Sequence, residues 1–409
     1  MRIKNLQIKN IGPFKNGVME FISSTDDFKK PPVIIITGEN GTGKSIILDS
    51  IRTLFIGHFG SVEREIPSSN EFLIESEILI NGKKINFKTN SKLDGHDFLT
   101  SDGEICKLFS HQFESKYKKD FVFDYWTSKL SNDSFKIESI ITIDPKRYLD
   151  DALNGVHKNI DVTKVICFFD YLKDSKDEYE KALGKSLYEM LEEIINSSLT
   201  IGKLSHVSRI NLNPIINIQN REITLEKLSS GSLYLIQRLS SLLSQIYSIC
   251  VNNKIPISKY KEIEGILLID EAENHLHPKW QKVFLRNILN FFPKLQIIVS
   301  THSPFIVSSI QNSRVFVCQS KDDFSIIEEQ TKLYSNKPVE EILMSPLFST
   351  SNFNTDITDL LKRRKDALSK NDIEEIDRIE SSLLDKNPEY FNYLNIEKTI
   401  KSIRNERAR

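Results

Sequence analysis

Apolar and polar residues change their period several times along the chain, and each change marks an element. Ile3, Leu6, Ile8, Ile11 and Phe14 recur in a mostly alternating pattern, which predicts an opening pair of strands. Residues 33–36 are a short continuous apolar run, the pattern of a buried strand, and a Gly-rich stretch follows. Beyond it Ile47, Ile51, Leu54 and Phe55 stand at helical spacing. Residues 72–80 and 84–88 flank Asn81-Gly82, a favoured two-residue hairpin turn. Residues 121–126 and 139–143 predict two more strands, the second ended by Asp144-Pro145. Val165, Ile166, Phe169, Leu172, Leu183, Leu187, Leu191 and Ile194 predict helix across 162–199, and strands resume over 201–225. A helix at 232–251, a buried strand at 263–269, a helix at 279–291 and a strand at 296–300 give a βαβ pattern, hence a parallel sheet. The strand around 315–318 is expected to be the last of that sheet, and past Thr358 the chain reads as charged helix, with Asn387 capping a helix that opens on Pro388.

Composition narrows the class. With 39% hydrophobic and 27% charged residues over 409 positions, the chain has the material for two to three folded domains. A net charge of −1 argues against a generically basic nucleic-acid coat. Cys106, Cys167, Cys250 and Cys318 are widely spaced and form neither a zinc motif nor a disulfide framework. No apolar run has the length of a signal peptide or a membrane span, so a cytoplasmic location and no membrane partner are expected.

The Gly-rich stretch is a complete phosphate-binding loop: Gly38-Glu39-Asn40-Gly41-Thr42-Gly43-Lys44-Ser45, with a strand before it and a helix after. Glycines let backbone N–H groups close around phosphate oxygens, and the helix that follows turns its positive end to the same anion. In that motif Lys44 lies between the β- and γ-phosphates of ATP and Ser45 ligates Mg²⁺. A second pair of acids closes an apolar run at Asp270-Glu271. Ligands of parallel sheets gather at the carboxyl ends of strands, so Asp270 is expected to hold the Mg²⁺ through water and Glu271 to polarise the attacking water.

Two further pieces lie on either side of that pair. Leu228-Ser229-Ser230-Gly231-Ser232 precedes a helix, and the 296–300 strand leads into Thr301-His302-Ser303-Pro304. The order of phosphate loop, LSxG-type signature, acid-ended strand and strand-then-His resembles the ABC ATPases, specifically their RecF/SMC-like branch. That resemblance implies an α/β fold: an ABC-type P-loop ATPase head with a mixed β lobe, a parallel core sheet, a helical insertion and a C-terminal helical bundle. It implies that two heads sandwich two ATP molecules, with Ser229, Ser230 and Gly231 of one reaching the nucleotide on the other and His302 sensing the γ-phosphate. The wording departs from the commonest signature at Ser230 and Ser232. Gln112 and Tyr125 are alternative candidates for the glutamine-loop position, and Lys146, Arg147 and Tyr148 for a phosphate contact or a solvated turn.

The 185 residues from Lys44 to Ser229 are too many for a transporter nucleotide domain and too few for an inserted long coiled coil. The chain looks like the stand-alone bacterial ATPases related to RecF and to the ATPase half of OLD-family nucleases. Glu271-Ala272-Glu273-Asn274-His275-Leu276-His277-Pro278 resembles their segment after the acid pair, which makes His275 and His277 part of a dimer-contact loop before it makes them metal ligands. The organisation expected is 1–160 as an N-terminal ATPase lobe, 161–200 as a helical insertion, 201–330 as a C-terminal ATPase lobe and 331–409 as a helical region.

OLD-type nuclease chemistry needs an early Glu and a later Asp-x-Asp for two metals. Residues 311–409 offer Asp322-Asp323 and Glu328-Glu329 but no such strand end, so no nuclease is expected in this chain. The tail resembles instead the C-terminal helices of Septu-type (PtuA-like) defence ATPases. Its Lys362-Arg363-Arg364-Lys365 run reads as a solvated helix face ahead of a nucleic-acid or partner contact, since 12 Lys/Arg and 11 Asp/Glu from 357 onward leave the tail without net basic character. The resemblance implies a slow, regulatory ATPase that forms a homodimer or a multiple of it and controls a separately encoded effector, such as an HNH nuclease, in bacterial anti-phage defence. The alternative is a RecF-like DNA-repair ATPase acting on ends or gaps.

Overall fold

Twelve strands hydrogen-bond into one mixed sheet in the computed structural model, which describes residues 1–23, 31–56, 68–69, 71–92, 98–100, 102–127, 135, 137–155, 161–348, 354–370 and 372–396. The chain opens with β1 (Arg2–Ile3), β2 (Asn5–Ile11) and β3 (Phe14–Glu20), then β4 (Ile34–Gly38) and α1 (Lys44–Ile56). Next come β5 (Leu73–Ile80), β6 (Lys83–Lys92), β7 (Phe98–Thr100), α2 (Gly103–Lys107) and β8 (Val122–Trp126). Helices α3 (Val162–Leu172) and α4 (Glu178–Ser197) precede a separate sheet of β9 (Lys203–Ser208), β10 (Asn213–Ile218) and β11 (Arg221–Thr224). Then follow α5 (Ser230–Asn253), β12 (Gly265–Ile269), α6 (Pro278–Phe291), β13 (Leu295–Thr301), α7 (Pro304–Val307), β14 (Arg314–Lys321) and β15 (Phe324–Glu329). The remaining helices are α8 (Thr331–Tyr334), α9 (Val339–Leu343), α10 (Thr355–Lys370), α11 (Ile373–Lys386) and α12 (Pro388–Phe391).

The main sheet has two halves. Strands β14, β4, β13, β12 and β8 run parallel in that order, and β4, β13, β12 and β8 are buried along their whole length, as a sheet covered on both faces requires. Strands β3, β2, β5, β6 and β7 form the antiparallel half, whose β5–β6 hairpin turns at Asn81 (φ +47°) and Gly82 (φ +74°), the left-handed pair that such a turn demands. The seam is β15, antiparallel to β14 and bridged in parallel to β3 at Ser325 and Phe14.

Two expectations fail here. Residues 139–143 are not a strand: Ile140 and Ile141 are exposed in irregular chain, and Asp144-Pro145 begins a single 3₁₀ turn, with Asp144 Oδ1 accepting from the Lys146 backbone N–H at 3.0 Å. Among the described residues no strand pairs with this segment, so its apolar side chains have no sheet face to bury against. The strand at 315–318 is likewise not the last, because β15 follows it and closes the sheet onto β3. None of the four cysteines is in a disulfide. Among the described residues no helix is long and apolar enough to cross a membrane.

The chain divides into two compact units, Met1–Ile342 and Leu343–Arg409. In the second, Ile357, Ile379, Leu383, Phe391 and Leu394 bury one small core, the amphipathic faces of α10 and α11 turned together. Arg364 donates to Glu380 Oε1 from Nε at 2.9 Å and Nη2 at 2.7 Å, and Arg363 pairs with Glu375. Two of the four charges in the Lys362–Lys365 run are thus engaged between the helices of that unit.

Candidate active site

The three strands β4, β13 and β12 lie side by side in parallel, so Gly38, His302 and Asp270 leave the sheet at the same edge. Local sequence makes this edge polar. Gln296 in β13 apart, the three strands are apolar up to their carboxyl ends, where Thr37-Gly38, Ser300-Thr301 and Asp270-Glu271 follow Ile36, Val299 and Ile269. Gly38 holds φ +144°, and a Cβ there would fall 2.1 Å from the Cys318 carbonyl oxygen on β14, so only glycine lets the loop leave the strand in this direction. Thr42 Oγ1 donates to the Glu39 carbonyl at 2.8 Å, which closes the turn from inside. The helix α1 then begins at Lys44, so residues 38–45 form a strand-loop-helix cradle.

Lys44 is buried, and its Nζ donates to the carbonyls of Gly38 (3.0 Å) and Glu39 (2.8 Å). Burial lowers its pKa from the ordinary lysine value, against the opposing fields of Cys318, Glu273, Asp270 and Glu271. A cation held on two carbonyl oxygens inside a loop of N–H groups is a site with an anion's place prepared. Burial pushes the Cys318 thiol up to about 12, with the Lys44 charge acting against that rise.

Ser45 Oγ donates to Asp270 Oδ1 at 2.8 Å, and the same carboxylate oxygen accepts from Ser300 Oγ at 2.6 Å. Ser300 Oγ in turn accepts from the Glu271 backbone N–H at 2.9 Å. Glu271 sits at φ +51°, an uncommon conformation for a residue with a side chain, and its Oε2 accepts from Asn274 Nδ2 at 2.6 Å. Glu273 binds the third strand: its Oε2 accepts from Thr301 Oγ1 at 2.6 Å and its Oε1 from the His302 backbone N–H at 2.7 Å. The His302 imidazole is half-buried; burial lowers its pKa, and Lys44 adds to that, against Glu273 and Glu271.

The structure therefore gathers Lys44, Ser45, Asp270, Glu271 and His302 at one edge. A hydroxyl and a carboxylate are hard oxygen donors, which suit Mg²⁺ when phosphate and water complete its shell. Ser300, Glu273 and Asn274 also belong to the constellation and were not singled out from sequence. Their signal was available: polar residues ending an apolar strand, and a third acid two positions beyond Glu271.

Ser229, Ser230 and Gly231 stand elsewhere, at the start of α5. Ser229 is the N-cap, with Oγ accepting from the Ser232 N–H at 3.4 Å, and Gly231 packs against the backbone of His275. His277 caps α6 through the Lys279 N–H. Gln112 is exposed in irregular chain, and Tyr125 is buried with the Arg52 guanidinium 4.1 Å over its ring. Tyr148 is buried with its hydroxyl on the Phe121 carbonyl at 2.9 Å, and Arg147 pairs with Asp150.

The family described as "AAA domain, putative AbiEii toxin, Type IV TA system" matches residues 33–308. A "Septu protein PtuA" of Bacillus thuringiensis is 28% identical over 368 residues, covering 83% of this chain and 83% of that protein. A "Retron Vc95 probable ATPase" of Vibrio cholerae serotype O1 biovar El Tor is 23% identical over 397 residues, covering 79% of this chain and 74% of that protein. Among solved structures, an SMC head domain from Thermotoga maritima aligns with 80% of this chain and 99% of its own at TM-score 0.45 and 15% identity.

Proposed function

The chain belongs to this AAA-domain family, and on that premise we propose that it is an ATP-binding and hydrolysing ABC-type ATPase subunit of bacterial anti-phage defence. In this reading it dimerises around ATP and controls a separately encoded effector, a nuclease. The observation that carries the ATPase reading is the hydrogen-bonded line from Ser45 through Asp270 and Ser300 to the Glu271 backbone, beside Lys44 and His302. The relatives named for Septu and retron systems support the defence setting.

The chemistry follows from the groups present. The 38–45 loop and Lys44 bind the phosphates of ATP. Ser45 and Asp270 would hold Mg²⁺, which when bound neutralises charge on the phosphate oxygens. Glu271 orients the attacking water and takes its proton, and Asn274 fixes the carboxylate that does so. His302 stands next to Lys44 in the field of the γ-phosphate. Ser229, Ser230 and Gly231 supply the γ-phosphate contact on a second copy, so two complete sites require two chains.

Light scattering of Glu271→Gln protein with and without Mg-ATP tests this reading. Loss of the base should trap ATP and raise the mass on nucleotide addition. A mass that ignores ATP, with turnover equal to the unsubstituted protein, would sink both the base assignment and the sandwich.

A further inference from the structure

The start of α5 and the loop after Asp270 touch within one chain. A Cβ on Gly231 would lie 2.5 Å from the His275 carbonyl oxygen, closer than any side chain tolerates, and 4.0 Å from Leu276 Cδ2. One turn further along α5, the fully buried Tyr234 lays its ring 6.0 Å from the His275 ring. The loop itself is stiff. The Asn274 N–H donates to the Glu271 carbonyl at 3.0 Å, the Asn274 side chain to the Glu271 carboxylate at 2.6 Å, and the Leu276 N–H to the Glu273 carbonyl at 3.1 Å. Gln281 Nε2 on α6 holds the Leu276 carbonyl at 2.8 Å. Both Glu271 (φ +51°) and His275 (φ +63°) keep left-handed backbone, which persists only where the surroundings hold it.

We propose that Gly231 and Tyr234 are positioning residues for Glu271 of their own chain: they seat the His275 backbone, and the hydrogen-bonded 271–276 loop carries that placement to the carboxylate. This rests on the ATP-sandwich reading and deepens it. The same helix start that faces the partner's phosphate then sets the base beside its own. Engagement of a signature by the neighbouring nucleotide is felt at the Glu271 of the chain that donates it, which couples the two sites.

Mixed oligomers separate the two roles of the signature. A Ser229→Arg subunit mixed with a Lys44→Ala subunit has one complete site: the first supplies the phosphate loop and the second the signature. Two inactive parents should regain turnover on mixing, and failure to do so overturns the sandwich reading itself. The Gly231→Ala subunit is then mixed with the same Lys44→Ala partner, which supplies an intact signature in trans. Turnover about tenfold or more below the Ser229→Arg mixture, with affinity for a fluorescent ATP analogue changed less than about twofold, is the expected result. Equal recovery in the two mixtures would mean that Gly231 acts only across the interface, and the inference would fall. Should Gly231→Ala not fold, His275→Gly in the same mixture frees the backbone without a clash, with the same expected deficit and the same overturning outcome.

Discussion

Ser45 and Asp270, 225 positions apart in sequence, share a hydrogen bond of 2.8 Å between hydroxyl and carboxylate. The bond joins the first turn of α1 to the residue that follows β12, so a hydroxyl and a carboxylate meet at the polar edge of the sheet. If the pair holds Mg²⁺, Asp270→Asn should leave metal-free ATP affinity within a few-fold and erase the gain that Mg²⁺ brings. Titrating a fluorescent ATP analogue with and without Mg²⁺ measures this, and a full Mg²⁺ response in the variant would place the ion elsewhere.

Lys44 predicts a separation of stability from binding. Its pKa is lowered by burial, so the charged form is the disfavoured one in the fold. For a lowered group the contribution to stability is present above the unfolded value and lost as pH falls through the folded value, so at neutral pH the cation costs stability. Lys44→Met should therefore abolish nucleotide binding without lowering the melting temperature of the nucleotide-free protein. A clear drop in that temperature would show the ammonium to be a structural tie between Gly38 and Glu39.

His302 predicts a proton uptake. Burial, and then Lys44, hold its imidazole below the ordinary value near 6.5, so in the nucleotide-free protein its share of stability is full above that pH and is lost as pH falls through the folded value. A γ-phosphate beside the ring favours the charged form. Calorimetry of ATP binding near pH 6 in buffers of different ionisation heat should report uptake, near pH 8 none, and His302→Gln none at either.

Asn274 touches no substrate in this reading and acts only through Glu271. Asn274→Ala should lower kcat about tenfold with KM nearly unchanged, the signature of a lost transition-state arrangement. A rise in KM alone would assign Asn274 to binding.

In the second unit, Arg364 and Glu380 are both largely withdrawn from water. Arg364→Ala removes two hydrogen bonds from the largely buried Glu380 carboxylate, so it should cost about 3 kcal/mol in that unit. Lys362→Ala and Lys365→Ala, both at exposed positions, should change it by less than about 0.5 kcal/mol. Denaturant unfolding followed by far-ultraviolet circular dichroism distinguishes the three.

The strand-loop-helix at 34–56 and the parallel strands ending at Asp270 and His302 were legible because continuous apolar runs ended in residues of special chemistry. The Asn81-Gly82 hairpin was legible because its turn needs two left-handed residues. What was not legible depends on contacts made at long range. Residues 139–143 have strand composition but, among the described residues, no strand to pair with; β15 forms as the hairpin partner of β14, and only its bridge to β3, some 310 residues earlier, joins the two halves of the sheet. Glu273 and Ser300 likewise gain their roles from the other strand's polar end, 28 and 30 positions away.

The placing of β4 between β13 and β14 has a consequence for synthesis. A ribosome that has completed residue 290 has already made the phosphate loop, yet neither strand that flanks it. Until residue 321 is out, Gly38 lacks the β14 carbonyl that shapes its exit, and Asp270 lacks the Ser300 hydroxyl for part of that time. Pairing over such separations comes late in folding. Chains cut before residue 300 should therefore bind a fluorescent ATP analogue far more weakly than chains that include all of β14, and the loop's sequence alone should not confer binding before the strands around it are made.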